Sequence, residues 1–210
     1  MIAILDYKAG NLTSVKRALD YIGSSCKVTN SHDEIRRADK VVFPGVGAAG
    51  KSMESLRELG LDKLLLELFD SQVPILGICV GLQVLFDMSQ ENQTACLGIL
   101  PGEVRRFPEK MYSKTGDFLK IPHMGWNAVS FQNNHPVFRD IPAESEFYFV
   151  HSYYPQPANQ DISAGITQYG ITFTSAVAFK NLVAVQFHPE KSGKPGLRLL
   201  DNFCRWNGLS

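Results

Sequence analysis

Pro74-Ile75-Leu76-Gly77-Ile78-Cys79-Val80-Gly81-Leu82-Gln83-Val84-Leu85-Phe86 is the stretch on which the fold turns. It opens on an apolar run of strand length and continues past Gly81 with no breaker. The spacing therefore predicts a buried strand, a sharp turn at Cys79 and a helix through Phe86. Gly77 and Gly81 permit a tight turn and leave the side chain between them exposed. A thiol there sits at a helix N-terminus, where free amides and the dipole favour a thiolate. The amide of Val80 is then placed to donate to an oxyanion. The plain alternative for Cys79 is an inert core thiol.

Outward from this stretch, the first half alternates between two periods. Ile2–Leu5, Cys26–Thr29, Lys40–Phe43 and Pro74–Ile78 read as short buried strands, the third ended by Pro44. Between them, Leu12, Val15, Leu19 and Ile22 recur at helical spacing, Ser31 with Glu34 has the form of a capping box, and 52–69 is helical with a break at Gly60. Alternation of this kind implies a parallel sheet with helices on both faces. After Gly98 the texture changes. Glu103–Phe107, Phe147–Val150, Ile171–Thr174 and Leu182–Phe187 are expected as mixed or antiparallel strands extending the same sheet. A last helix starts at Pro195 with an apolar stripe of Leu197, Leu200, Phe203 and Cys204. The expected architecture is α/β: one domain over 1–210, an open, mostly parallel central sheet flanked by helices, with a mixed or antiparallel extension.

Composition excludes several function classes. The chain has 210 residues, 44% hydrophobic and 20% charged, with no formal net charge, which is the profile of a globular domain. No basic surplus points to nucleic acid or an anionic membrane. Met1-Ile2-Ala3-Ile4-Leu5 lacks a basic leader and is broken at once by Asp6, so no signal peptide is expected, and no apolar run reaches membrane-spanning length. Cys26, Cys79, Cys96 and Cys204 lie far apart without a C-x-x-C pair, which argues against structural zinc and against a disulfide framework. A reducing cytoplasm is the expected setting. No Walker loop, G-x-G-x-x-G or zincin spacing is present, so neither a metal nor another cofactor is expected.

A thiol nucleophile needs a base that also protonates the leaving group, and a group that orients the base. His188 follows the apolar run 182–187, which places it at a strand's C-terminal end, the rim where open α/β sheets carry their sites. Glu190 stands two residues on, across Pro189, and can fix the imidazole tautomer. The bland alternative is a surface-turn histidine beside a solvated acid. His123 and His151 compete for the base role; His135, in the polar turn Gln132–Pro136, is expected to be exposed, and His32 lies in a helix-capping loop. Pro44-Gly45-Val46-Gly47 follows the third strand at the same rim. It is either an ordinary turn or a second set of oxyanion amides, from Val46 and Gly47.

Taken together, Pro44–Gly47, Gly77–Gln83 and His188-Pro189-Glu190 resemble the class I, or triad, glutamine amidotransferases, in order and spacing across essentially the whole chain. The segments 6–15 (D-Y-K-A-G-N-L-T-S-V), 122–127 (P-H-M-G-W-N), 148–154 and 188–192 narrow the resemblance to the glutaminase subunits of imidazole glycerol phosphate synthases. The resemblance implies a flavodoxin-like amidotransferase fold and L-glutamine as substrate. It implies that Cys79 attacks the carboxamide, His188 shuttles protons and Glu190 orients it, while Val46, Gly47 and Val80 form the oxyanion hole. Gln83 and the backbone of Gly47 and of His151, Ser152 and Tyr153 would hold the substrate. It also implies a (β/α)8-barrel cyclase partner in a heterodimer. The docking face is expected at the triad rim, through Asn11 after the first strand, Trp126 in a Gly-Trp-Asn turn and Lys191 next to Glu190; the plain alternative is a buried core tryptophan and a solvated lysine. Val80 stands where a leucine is more familiar, and only its amide matters to the chemistry. Rival readings are another amidotransferase of anthranilate or GMP synthesis, a glutaminase serving a sugar-modifying enzyme of surface polysaccharide synthesis, a non-catalytic stabilising subunit, and a cysteine peptidase.

Overall fold

The computed structural model describes residues 1–8 and 10–209. Ala9, inside the 6–15 segment, and Ser210, the end of the expected 1–210 domain, lie outside the described residues. The alternation of the first half is realised as β1 (Ile2–Leu5), α1 (Leu12–Tyr21), β2 (Cys26–Thr29), α2 (His32–Arg36), β3 (Lys40–Gly45), α3 (Ala49–Glu58), α4 (Leu61–Asp70) and β4 (Ile75–Cys79). A single helical turn, α5 (Val80–Gln83), leads to β5 (Phe86–Ser89), β6 (Thr94–Ala95) and β7 (Leu100–Arg106). The small hairpin β8 (Met111–Tyr112) and β9 (Phe118–Leu119) precedes β10 (His123–Ala128), β11 (Ser130–Phe131), β12 (Glu146–His151) and β13 (Tyr153–Pro157). The chain ends with β14 (Ser163–Tyr169), β15 (Ile171–Phe179), β16 (Leu182–Val185) and α6 (Gly193–Arg205).

The main sheet runs β11-β14-β15-β16-β4-β3-β1-β2. From β2 to β16 its neighbours are parallel, and β15, β14 and β11 extend it antiparallel. The α/β architecture with a mixed extension is therefore the one the sequence implies. β1 and β4 are buried along their whole length, as expected of strands covered on both faces. α1 lies beside α6, and α3 beside α4. Parallel order aligns the C-terminal ends of β3, β4 and β16, so Gly45, Cys79 and the segment after Val185 meet at one rim.

Several local expectations are corrected. The helix after Cys79 is one turn long. Carbonyls that would continue it are claimed from elsewhere: Leu97 N–H donates to Val84 O, Ile99 and Leu100 N–H to Leu85 O, and Gly98 N–H to Phe86 O. Strands β7 and β12 do not join the main sheet, because their backbone groups are paired elsewhere, β7 between β13 and β5 and β12 along β10. β7 builds a second sheet in the order β13-β7-β5-β6, and β12 pairs only with β10, as a two-stranded ribbon. β3 continues through Pro44 to Gly45; its pairing with β1 ends at Val42, so no ladder bond is lost at the proline. Ser31 makes no side-chain cap, and Glu34 instead accepts from Thr29 Oγ1 and Lys27 Nζ. α6 begins before Pro195, and its buried face is Gly196, Leu199, Leu200 and Phe203, with Leu197 and Cys204 at its margin.

Candidate active site

Cys79 ends β4 in a conformation L-residues rarely adopt, φ 55° and ψ −110°. Strain of this kind costs about 1–3 kcal/mol and persists only where the surroundings enforce it. The two flanking glycines serve a different need from backbone freedom. A Cβ on Gly81 would stand 2.0 Å from the Phe43 carbonyl oxygen, and one on Gly77 would stand 2.8 Å from the Ala184 Cβ. They let the elbow press between β3 and β16, and this vice holds the cysteine in its strained state. Gly45 pairs with Cys79 across the sheet, which brings the Pro44–Gly47 turn beside that thiol. Gly47 has φ +92°, and the requirement there is one of backbone, since a Cβ on it would meet nothing within 4 Å among the described residues.

His188 is set by its backbone. Its N–H donates to Tyr148 O at 2.9 Å, and its carbonyl accepts from Ser192 Oγ at 2.6 Å. The same Ser192 hydroxyl accepts from Tyr148 N–H at 3.0 Å, so the ribbon strand β12 clamps the segment at both ends. A 3₁₀ turn, Pro189–Lys191, folds Glu190 back under the ring, and His188 Nδ1 donates to Glu190 Oε1 at 2.8 Å. Both side chains are almost wholly out of solvent, 1% and 0% exposed. Asn11 Nδ2 donates to the same Glu190 oxygen. With Nδ1 engaged, Nε2 has no hydrogen-bond partner among the described residues and is available to the thiol. Burial opposes charge on His188, but the Cys79 sulfur and the Glu190 carboxylate outweigh it and raise its pKa to about 9.

One cavity of about 330 Å³ gathers these groups. It is lined by Val46, Gly47, Cys79 and Val80, by Gln83 and His188, by Val150 to Tyr153, and by Glu91 and Pro122. Every expected catalytic, oxyanion and substrate residue thus lines this cavity or, as with Glu190, lies directly behind it. A larger cleft of about 530 Å³ around His135 and Arg139 holds none of them. Gln83 Nε2 donates to Tyr153 O (3.1 Å) and to Gln186 Oε1 (3.0 Å), so only its carbonyl oxygen is left for a ligand. Gln186 Nε2 lies 3.7 Å from the Cys79 sulfur.

The competing histidines are distributed otherwise. His135 is buried, not exposed. Its Nδ1 accepts from Val137 N–H, its ring packs on Trp206, and burial lowers its pKa to about 4. The polar residues around it hide an apolar wall supplied by the end of α6. His32 Nε2 bonds to Leu59 O. His123 and His151 bond to each other under the ribbon. Trp126 lies on strand β10, not in a turn, and is 53% exposed. Its ring meets Tyr148 edge-on at 6.1 Å, and Lys191 Nζ stands 6.0 Å from the same tyrosine ring.

Glu91 and Gln186 are functional candidates the sequence reading does not contain. Glu91 sits in the polar string Ser89–Gln93, which carries no pattern; its Oε2 accepts from Ala49 N–H at the start of α3. Gln186 did leave a signal, a lone amide inside the otherwise apolar run 182–187. Among the described residues no cluster of His, Cys, Asp and Glu is arranged to hold a metal ion, and no helix is long and apolar enough to cross a membrane.

The model of the family described as glutamine amidotransferase class-I matches residues 3–206. The imidazole glycerol phosphate synthase subunit HisH of Maridesulfovibrio salexigens is 50% identical over 206 residues, 98% of this chain and 97% of that protein. The protein of the same name from Dehalococcoides mccartyi is also 50% identical, with the same coverage. Among solved structures, a putative GMP synthase protein from Thermoplasma acidophilum shares the fold, with a TM-score of 0.71, 22% identity, and 97% and 92% of the two chains covered.

Proposed function

The chain belongs to the class I glutamine amidotransferases, and from that premise we propose that it is the glutaminase subunit of an imidazole glycerol phosphate synthase, acting in histidine biosynthesis. The observation that carries the reading is the buried His188–Glu190 pair, whose histidine lines one cavity with a strained Cys79. The sulfur of Cys79 attacks the carboxamide carbon of L-glutamine, and the thiol proton resides on His188. The oxyanion is met by the amides of Val80 and of the Val46–Gly47 turn. His188, held cationic by its neighbours, gives its proton to the departing ammonia and leaves a glutamyl thioester. Water, deprotonated by His188, then cleaves the thioester to glutamate. Glu91, which lines the cavity, supplies a carboxylate for the substrate's ammonium group.

Ammonia released into water near neutral pH protonates and ceases to be a nucleophile. The product is therefore passed on without leaving the complex. The partner is a (β/α)8-barrel cyclase that receives ammonia through its core, as a lyase, and the two form a cytoplasmic heterodimer. It docks on the active-site rim at Asn11, Trp126 and Lys191, where Trp126 and neighbouring Met124 (61% exposed) offer apolar surface.

The test is Cys79→Ala in the reconstituted complex. Glutamine-dependent synthesis should fall by about 10⁴-fold or more, while synthesis from added ammonium at raised pH persists. Retention of glutamine hydrolysis by the variant would overturn the assignment of the nucleophile.

A further inference from the structure

On the covered face of the β10–β12 ribbon, His123 and His151 stand opposite each other, 3% and 5% exposed. They form the middle of a hydrogen-bonded chain whose two ends are fixed independently. At one end, His151 Nδ1 lies 2.8 Å from the Tyr153 carbonyl oxygen, which can only accept, so Nδ1 carries the proton and Nε2 is an acceptor. At the other end, Asn127 Oδ1 accepts from Ala128 N–H at 2.9 Å, and Asn127 Nδ2 donates to Gln168 O at 3.0 Å. This orients the amide, so its Nδ2 also donates to His123 Nε2 at 3.2 Å, and His123 must carry its proton on Nδ1. Between them His123 Nδ1 lies 2.9 Å from His151 Nε2. The two ends, argued separately, require the same donor and acceptor at the middle bond. Stacking of His123 on Tyr169, centroids 3.9 Å apart, and on Phe149 fixes its ring plane.

The chain terminates on a working atom. The Tyr153 carbonyl accepts from His151 and from Gln83 Nε2, and residues 150–153 form one side of the substrate cavity. Nothing in the reaction described above uses His123, which does not line that cavity.

We infer that His123 is a positioning residue for substrate binding: through its Nδ1–H it fixes the His151 tautomer, which anchors the Tyr153 carbonyl and with it the glutamine-binding turn 151–153. The inference rests on the glutaminase reading for its functional consequence, though not for its geometry. On that reading the turn would hold the part of glutamine that does not react, alike before and during the chemical step, so its loss should affect KM and not kcat.

His123→Phe keeps an aromatic ring for the stack and removes both nitrogens; His123→Asn returns a donor near the Nδ1 position. In the complex with the cyclase partner, His123→Phe should raise KM for glutamine about tenfold with kcat within about threefold of the parent, and His123→Asn should bring KM back to within about threefold. Imidazole ¹⁵N spectra of the unmodified chain should show both His123 and His151 as Nδ1–H tautomers. A parent-like KM for His123→Phe, a fall in kcat in place of the rise in KM, or an Nε2–H signal from either ring would overturn the inference. If His123→Phe fails to fold, the spectrum of the unmodified chain decides. Cys79→Ala keeps the two readings apart: hydrolysis surviving in that variant sinks the glutaminase assignment, while the tautomers remain readable in a chain of any activity.

Discussion

Glu190 holds His188 and Asn11 on a single oxygen and leaves Oε2 buried without a partner among the described residues. The carboxylate therefore acts on His188 through charge as well as through one directed bond. Glu190→Gln keeps an acceptor but removes the charge, so less opposes the desolvation that disfavours the imidazolium. Glutamine turnover by the complex should drop about 10²-fold, less than for His188→Ala, and the alkaline limb of its pH–rate profile should move to lower pH. An unshifted limb would mean that Glu190 orients the ring without tuning it. At this scale the sequence was most legible where chemistry forces a rare grouping. Cys79 between glycines and His188-Pro189-Glu190 could be picked out because few other arrangements need those types at that spacing. Glu91 could not, since it is one acid in a polar string and takes its place through a contact 42 residues away in sequence, with Ala49.

The β10–β12 ribbon is the element that joins surface to site. One face exposes Met124 and Trp126; the other buries His123, Phe147, Phe149 and His151. Its edge strand bonds to His188 and Ser192 through the Tyr148 backbone. Trp126→Ala should weaken partner binding by about 2 kcal/mol, as an exposed aromatic anchor does, while the melting temperature of the free chain stays unchanged. Lys191→Ala should reduce glutamine-dependent turnover more than ammonia-dependent turnover. Titration of the cyclase against each variant, with both assays, measures this; parent-like binding and coupling in both would place the docking face elsewhere. The ribbon was not legible as a separate element. Phe147–Val150 has a strand's composition, but its pairing is with β10, which composition alone does not disclose. The expected helix after Cys79 failed for a related reason, with distant amides from 97–100 taking the carbonyls that would have extended it.

For the molecule as a whole, buried histidines set opposite limits on stability. His188 is held protonated to about 9 against an ordinary 6.5, so its contribution is complete below pH 6.5 and is lost as pH rises through about 9. Burial lowers His123, His135 and His151 to about 4, 4 and 3, so theirs is complete above pH 6.5 and is lost as pH falls toward those values. The melting temperature should peak near pH 6.5, with a steeper acid limb, and Glu190→Gln should flatten the alkaline limb alone. A scan of thermal unfolding from pH 4 to 9.5 checks both; a monotonic profile would contradict the balance. The parallel half of the fold was readable from the sequence because each of its strands is apolar along its length and separated by a helical period. The second half was not, because strands such as β6, β8, β9 and β11 span two residues each and exist only through their partners.

The strained backbone of Cys79 bears on how this protein would respond to selection for heat resistance. Glycine relaxes at φ 55°, ψ −110°, the mirror of an extended conformation, whereas alanine keeps the strain and loses only the sulfur. Cys79→Gly should therefore be more stable than Cys79→Ala by about 1 kcal/mol or more in chemical denaturation, reversing the usual ranking of the two residues. Equal stabilities would show that the elbow is relaxed as it stands. If the reversal is found, a screen for heat resistance that ignores activity would drift to glycine at the proposed nucleophile, and on that reading the most durable versions of this chain would be inert.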